Sequence, residues 1–182
     1  MVTAVGIIEL TSIARGIEIC DGMIKAASVS VLESMPMCPG KYVIIIGGDV
    51  AGVESSVAVA VSKAGSFMLD SVMIPNIHEQ VFPAISGTAR PDALEALGIV
   101  ETYSVASCIR AADAAVKAAY VSLIEVRLSR GMGGKSFATL TGAVGDVAAA
   151  VEAGSACAES EGMLAANSVI ASPHEDLAKF IF

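Results

Sequence analysis

One block of sequence is written twice in this chain, and that duplication limits the possible folds more than any other feature. Gly6-Ile7-Ile8-Glu9 recurs as Gly98-Ile99-Val100-Glu101, Ser12-Ile13-Ala14 as Ser104-Val105-Ala106, Asp21 as Asp113, and Lys25-Ala26-Ala27 as Lys117-Ala118-Ala119, all at an offset of 92. Further on, the offset becomes 94, pairing Gly40-Lys41 with Gly134-Lys135 and Gly48 with Gly142. It then becomes 96, pairing Ile74 with Ile170 and His78-Glu79 with His174-Glu175. Insertions confined to loops, with alignment kept between them, mark a duplicated domain. The chain is therefore expected to hold one copy over residues 1–88 and a second over 89–182, joined by the polar, Pro-containing stretch 86–95.

Each copy reads as strand, helix, strand, strand, helix, strand. The first strand covers 4–10, and Thr11 or Ser12 is placed to cap the helix that follows. Ile13, Ile17, Cys20, Ile24 and Ala27 fall at alternating spacings of four and three, which puts them on one helical face, expected to be the core face. Val105, Ile109, Ala112, Val116 and Ala119 repeat that stripe. Strands over 29–35 and 41–47, mirrored by 121–128 and 135–141, flank a Pro/Gly loop in the first copy and a glycine loop in the second. Asp49 caps a second helix with the stripe Val50, Val53, Val57, Val61 and Ala64, ending at Gly65, and its twin carries Val144, Val147 and Val151. Strands over 69–75 and 165–171 close the sheets. This order is that of an α+β, ferredoxin-like βαββαβ unit with helices on one face of an antiparallel sheet, present in tandem. Such sheets leave edges over, through which tandem copies pair or tile.

Composition excludes several function classes. Apolar residues make up 54% of the chain, mainly small and aliphatic with no Trp, so close packing and subunit interfaces are favoured. No window reaches the about 18 uncharged apolar residues of a membrane span. The beginning, Met1-Val2-Thr3-Ala4-Val5, lacks a basic region ahead of an apolar core, so a cytosolic, reducing compartment is expected. A net charge of −8 without a Lys/Arg cluster argues against nucleic acid. No grouping of acid, base and nucleophile suggests an enzyme.

The two copies differ most at one loop. Met35-Pro36-Met37-Cys38-Pro39-Gly40-Lys41 in the first corresponds to Ser129-Arg130-Gly131-Met132-Gly133-Gly134-Lys135 in the second. A thiol between prolines faces bare glycine backbone. Gly131 to Gly134 are weak as a phosphate loop, because Lys135 opens a strand rather than a helix. Of the four cysteines, Cys20 stands where its twin is Ala112, and Cys108 and Cys157 lack neighbours of ligand type, so these three are read as structural. His78 and His174, each the only His of its copy, are read as packing or capping residues.

These residues carry a resemblance. Gly98-Ile99-Val100-Glu101-Thr102, the run from Ala112 to Ala119, Gly133-Gly134-Lys135 and Pro173-His174, with their parallels in the first half, resemble the shell domain of bacterial microcompartments. In a tandem chain the resemblance implies a pseudohexameric homotrimer, six domains around a central opening, built into a microcompartment shell in the cytoplasm beside other shell proteins. The loop Met37-Cys38-Pro39-Gly40-Lys41 is similar to that of tandem members whose pore carries an iron–sulfur cluster. The resemblance thus implies one [4Fe–4S] cluster per trimer, with three copies of Cys38 as its ligands. Met37, Pro39 and Gly40 would line the pore together with Met132, Gly133 and Gly134. Lys25 and Lys117 would serve tile-edge contacts. Single-domain relatives end the last strand with an Arg where this chain has Asn76 and Ser172, so lateral contacts rest on the two lysines with other groups.

The residues of the loop suit that chemistry. One thiol cannot hold a cluster normally bound by four, but three-fold symmetry supplies three and leaves one iron to an exogenous ligand. Pro36 and Pro39 stiffen the loop, and backbone N–H groups near Gly40 are expected to donate to the cluster sulfides. The leading function is a shell tile that passes electrons across the shell or handles clusters for encapsulated redox enzymes. The alternatives are a shell tile with a plain or gated metabolite pore, and a ligand-sensing ferredoxin-like trimer.

Overall fold

A computed structural model of the chain describes residues 2–181. They form two compact units that divide between Ile77 and His78. The first unit runs β1 (Ala4–Leu10), α1 (Ile13–Ala26), β2 (Ser30–Met37), β3 (Lys41–Gly48), α2 (Val50–Ala64), a 3₁₀ turn over Gly65–Phe67, and β4 (Met68–Pro75). The second runs α3 (Val81–Ile85), β5 (Ala96–Thr102), α4 (Val105–Ala118), β6 (Ser122–Arg127), β7 (Ser136–Gly142), α5 (Val144–Ser160), β8 (Leu164–Ile170) and α6 (Glu175–Ile181).

Each unit holds one antiparallel four-stranded sheet, ordered β2-β3-β1-β4 and β6-β7-β5-β8. This is the α+β, βαββαβ architecture that the element order predicts. The copies agree even in their irregularities. A bulge falls at Glu9/Leu10 against β4 and at Glu101/Thr102 against β8, and another at Val31/Glu33 and at Leu123/Glu125.

Local chemistry explains the helix ends. The Ser12 hydroxyl accepts from the Arg15 N–H and that of Ser104 from the Ser107 N–H, capping α1 and α4. Asp49 accepts from the Gly52 N–H at 2.7 Å to cap α2, and Gly65, at φ +53°, ends it. In the first unit Ile8, Leu10, Ile19, Met23, Ile44, Ile46, Val53 and Ala60 form the core between helices and sheet. The buried Ser56 hydroxyl donates to the Met23 carbonyl at 2.9 Å, joining α2 to α1.

Gly6 and Gly98 set the distance between sheet and helix. A Cβ on Gly6 would lie 2.7 Å from Val57 Cγ2, and one on Gly98 would lie 2.6 Å from Val151 Cγ2 and 2.7 Å from Leu140 Cδ1. Neither position admits a Cβ unless the facing valine or leucine side chain shifts.

Two expectations from the sequence are revised. The repeat boundary expected after residue 88 is not where the compact units part. Residues 78–86 belong to the second unit, because α3 packs on β6 and α4 with Val81 and Ala84 fully buried. The stripe Ile13, Ile17 and Ile24 is not the core face of α1. These residues are 44%, 57% and 43% exposed, whereas Ile19, Cys20 and Met23 face the core. Their twins Val105, Ile109 and Val116 are buried. Val50, Val61 and Val144 also lie outside, leaving Val53, Val147 and Val151 to pack inward.

The close approach at Gly98 predicts that Gly98→Ala overpacks α5 against β5 and β7. The substitution is expected to cost about 1–3 kcal/mol, read as a lower urea midpoint at unchanged slope. An unaltered midpoint would show that the helix yields freely.

Candidate functional site

The turn between β2 and β3 is short because the two strands pair almost to its tip. Pro36 lies opposite Tyr42 and Met37 opposite Lys41, so only residues 38–40 are left to reverse the chain. β2 is an edge strand, where a proline costs no ladder hydrogen bond. The Gly40 N–H donates to the Met37 carbonyl at 2.8 Å, and Gly40 has φ +99° with nothing within 4 Å of a built Cβ. Its backbone conformation, not crowding, calls for glycine. Met37 is buried, while Cys38 is half-buried with a free thiol, followed by a cis peptide bond to Pro39. The expected donation from near Gly40 to an external acceptor is narrowed, since Gly40 spends its own N–H inside the turn.

The equivalent turn of the second unit is two residues longer, as the change in offset requires. A buried pair of serines closes its base. The Ser129 hydroxyl donates to the Gly134 carbonyl at 2.8 Å and lies 2.9 Å from the Ser136 hydroxyl, and the Ser129 N–H donates to Ser136 Oγ at 3.2 Å. Gly131, Gly133 and Gly134 all have positive φ, and around Gly131 and Gly133 the space for a side chain is empty. Met132 is half-buried among them.

Below each turn lies an ion pair that reading the sequence did not single out. Lys41 Nζ is 3.3 Å from Glu9 Oε2, and Lys135 Nζ is 3.0 Å from Glu101 Oε1. The Glu stands on the central strand, buried in the case of Glu9, and the Lys is the first residue after the turn. The hydrogen bond and charge of Glu101 raise the pKa of Lys135 above its ordinary value. Two long-range partners retained in both copies, across a change of offset, were the available signal. These pairs tether the root of each turn while its tip differs.

The other predicted residues are placed apart from the turns. Lys25 and Lys117 occupy the last turns of α1 and α4, each donating to an aspartate four residues earlier, Asp21 at 2.7 Å and Asp113 at 2.6 Å. Lys25 is the more exposed. The histidines cap short helical turns, as expected: His78 Nδ1 accepts from the Gln80 N–H and His174 Nδ1 from the Asp176 N–H.

Cys20 and Cys108 are buried, and burial pushes the Cys108 thiol up to about 12. Half-buried Cys157 is raised too, by burial, against the opposing effect of Arg110. Among the described residues no group of three or more His, Cys, Asp or Glu within the chain is arranged to hold a metal.

This division of the thiols predicts their reactivity. In the native protein, iodoacetamide at mildly alkaline pH is expected to modify Cys38 and to spare Cys20 and Cys108 until the chain is unfolded, as read by peptide mass spectrometry. Labelling of Cys108 in the folded protein would contradict its burial.

Comparison with known proteins agrees with the duplicated architecture. The BMC domain family matches twice, over residues 4–77 and 96–173. The bacterial microcompartment shell protein PduT of Citrobacter freundii is 49% identical over 177 residues, 97% of this chain and 96% of that protein. The carboxysome assembly protein CcmO of Synechococcus elongatus is 31% identical, over 96% of this chain and 67% of its own length. The crystal structure of a microcompartment protein from Desulfitobacterium hafniense DCB superposes with a TM-score of 0.93 at 49% identity, covering 98% of this chain and 99% of that one. A two-domain match over most of the length, with the same sheet order in both halves, makes this chain a member of the BMC-domain family of bacterial microcompartment shell proteins, carrying the domain in tandem.

Proposed function

We propose that the protein is a homotrimeric tile of a bacterial microcompartment shell, and that three copies of Cys38, one from each subunit, hold a [4Fe–4S] cluster at its central opening. The shell role rests on the family and on relatives along nearly the whole chain. It is structural rather than enzymatic, in keeping with those relatives. Among the described residues no helix is long and apolar enough to cross a membrane.

The observation that carries the cluster reading is the inequality of the two hairpin turns on otherwise matching units. One presents a half-buried thiol, and the other presents glycines around which there is space. The donor type suits an iron–sulfur cluster, which takes thiolate ligands, and among the described residues of one chain Cys38 is the one accessible thiol carried on a turn. Three subunits raise the ligand count to three and leave one iron to an exogenous ligand. When bound, the cluster would supply one-electron transfer across the shell, or a cluster to be handed to encapsulated enzymes. The chain's own part is to aim Cys38 from a turn closed by the Gly40–Met37 hydrogen bond and rooted by Glu9 and Lys41, while Pro39 and Gly40 with Met132 and Gly133 line the opening, and Met37 and Gly134, both buried within the chain, support them from behind.

Anaerobic purification tests this reading. A brown protein with about four irons per trimer is expected, and Cys38→Ser should abolish colour and paramagnetic signal while leaving the trimer intact. A protein that stays colourless after iron–sulfide reconstitution would favour a plain or gated metabolite pore, and iron retained in Cys38→Ser would place the ligand elsewhere.

Lys25 and Lys117, exposed at helix ends, are proposed to mediate contacts between tiles and with other shell proteins. Replacing both by Ala is expected to spare the trimer and to reduce or abolish two-dimensional sheets in electron micrographs. Sheets of undiminished order would remove the lysines from the tile edge.

A further inference from the structure

The duplicated domain shows, within one chain, what covers a surface that its first copy leaves bare. On the first unit, Ile13, Ile17 and Ile24 of α1 and Val31 of β2 are each at least 40% exposed. Their twins on the second unit, Val105, Ile109, Val116 and Leu123, are no more than 7% exposed. The segment that packs on this second face is the continuation of the first repeat. The His78 N–H donates to Asp113 Oδ1 at 2.8 Å, Gln80 Nε2 donates to the Val121 carbonyl at 3.3 Å, and the Leu123 N–H donates to Gln80 Oε1 at 2.9 Å. Behind these contacts α3 buries Val81 and Ala84.

The second repeat ends in a segment folded the same way. The Leu177 N–H donates to the His174 carbonyl at 2.9 Å, as the Val81 N–H donates to that of His78 at 3.1 Å, and the two imidazoles make matching caps. Yet none of the residues of α6 is buried, and Phe180 is 85% exposed. A preformed connector without a seat and an apolar face without a cover, related to each other as α3 is to α4 and β6, are complementary.

We infer that residues 174–181 of one copy dock on the α1/β2 face of the next copy, taking there the place that α3 holds on α4 and β6. The inference deepens the homotrimer reading and rests on it. The His174 N–H would donate to Asp21, which, like Asp113, is already held by a lysine one turn on. Asp176 replaces Gln80, so its carboxylate can accept from the Val31 N–H but cannot donate to the Val29 carbonyl. Leu177 and Phe180, larger than Val81 and Ala84, compensate with apolar area on a face lined by Ile17 and Val31. The contact is heterologous, joining the end of one chain to the start of the next, and closes only as a ring.

Sedimentation velocity of the full chain and two variants tests the docking. Leu177→Asp with Phe180→Asp disables the connector, and Ile17→Asp with Val31→Asp disables the face. All four positions are at least partly exposed, so each chain should keep the wild-type circular dichroism spectrum. Each variant alone is expected to require at least tenfold higher concentration to associate. An equimolar mixture, which restores one intact connector and one intact face, is expected to form heterodimers. Hydrogen exchange around Val29 and Val31 should be slow in the wild-type oligomer and fast in the connector variant. If both variants associate like the wild type, the docking is wrong while the trimer stands. If the wild type itself is monomeric at micromolar concentration, both fall.

Discussion

The approach of α2 to β1 at Gly6, repeated by α5 on β5 at Gly98, is the constraint on which the rest of each unit depends. With side-chain atoms 2.6 to 2.7 Å from where a Cβ would stand, the helix lies as near the central strand as packing permits. Seating it there lets Val53 or Val147 fill the core with small side chains, in a chain that has no Trp and few aromatics. It also fixes the helices on one side of the sheet. The hairpin tips beyond β2–β3 and β6–β7 therefore carry little of the core, and substitutions there are cheap in stability. Positions that set a fold and positions that can acquire chemistry are separated along each repeat.

The same sequence pattern has different meanings in the two halves. Ile13, Ile17 and Ile24 have the spacing of a buried stripe, and so do Val105, Ile109 and Val116, yet only the second set is covered. Periodicity reports that one helical face is apolar but not what will cover it, and a core and an interface make the same demand on side chains. The actual core contacts of α1, through Ile19, Cys20 and Met23, lie on a neighbouring arc of the helix, with Gly16 and Gly22 buried on the same side. Those glycines add nothing to an apolar stripe, so the hydrophobic period marks a different arc of α1 from the one that faces the core.

Much of the architecture was legible because the duplication supplies each reading with a control. Strand β1 and the caps Ser12 and Asp49 fall where the pattern put them, and the sheet order follows from the element order. The short helices α3 and α6 were not seen, since five to seven residues give too few turns for a period to register. The division of the units was misplaced for the same reason: the repeat ends after α3, but α3 packs on the unit that follows. At the turns, the contrast between Cys38 and the glycines was plain in sequence. The Glu9–Lys41 and Glu101–Lys135 pairs beneath them were not, because they join a central strand to the start of another across more than thirty residues.

Fusion of two domains in one chain has a physical consequence for a ring. A ring of six identical single domains presents the same turn six times, so any group introduced at the opening appears at every position and crowds its neighbours. With two domains per chain, one turn can change while the other compensates. Here the first turn is short and closed by a hydrogen bond across its tip, and its thiol is held near the end of a paired hairpin. The second is longer, built on glycines with positive φ, closed by the Lys135 N–H donating to the Met132 carbonyl and stitched at its base by Ser129 and Ser136. Identical ion pairs root both, so the divergence is confined to the tips.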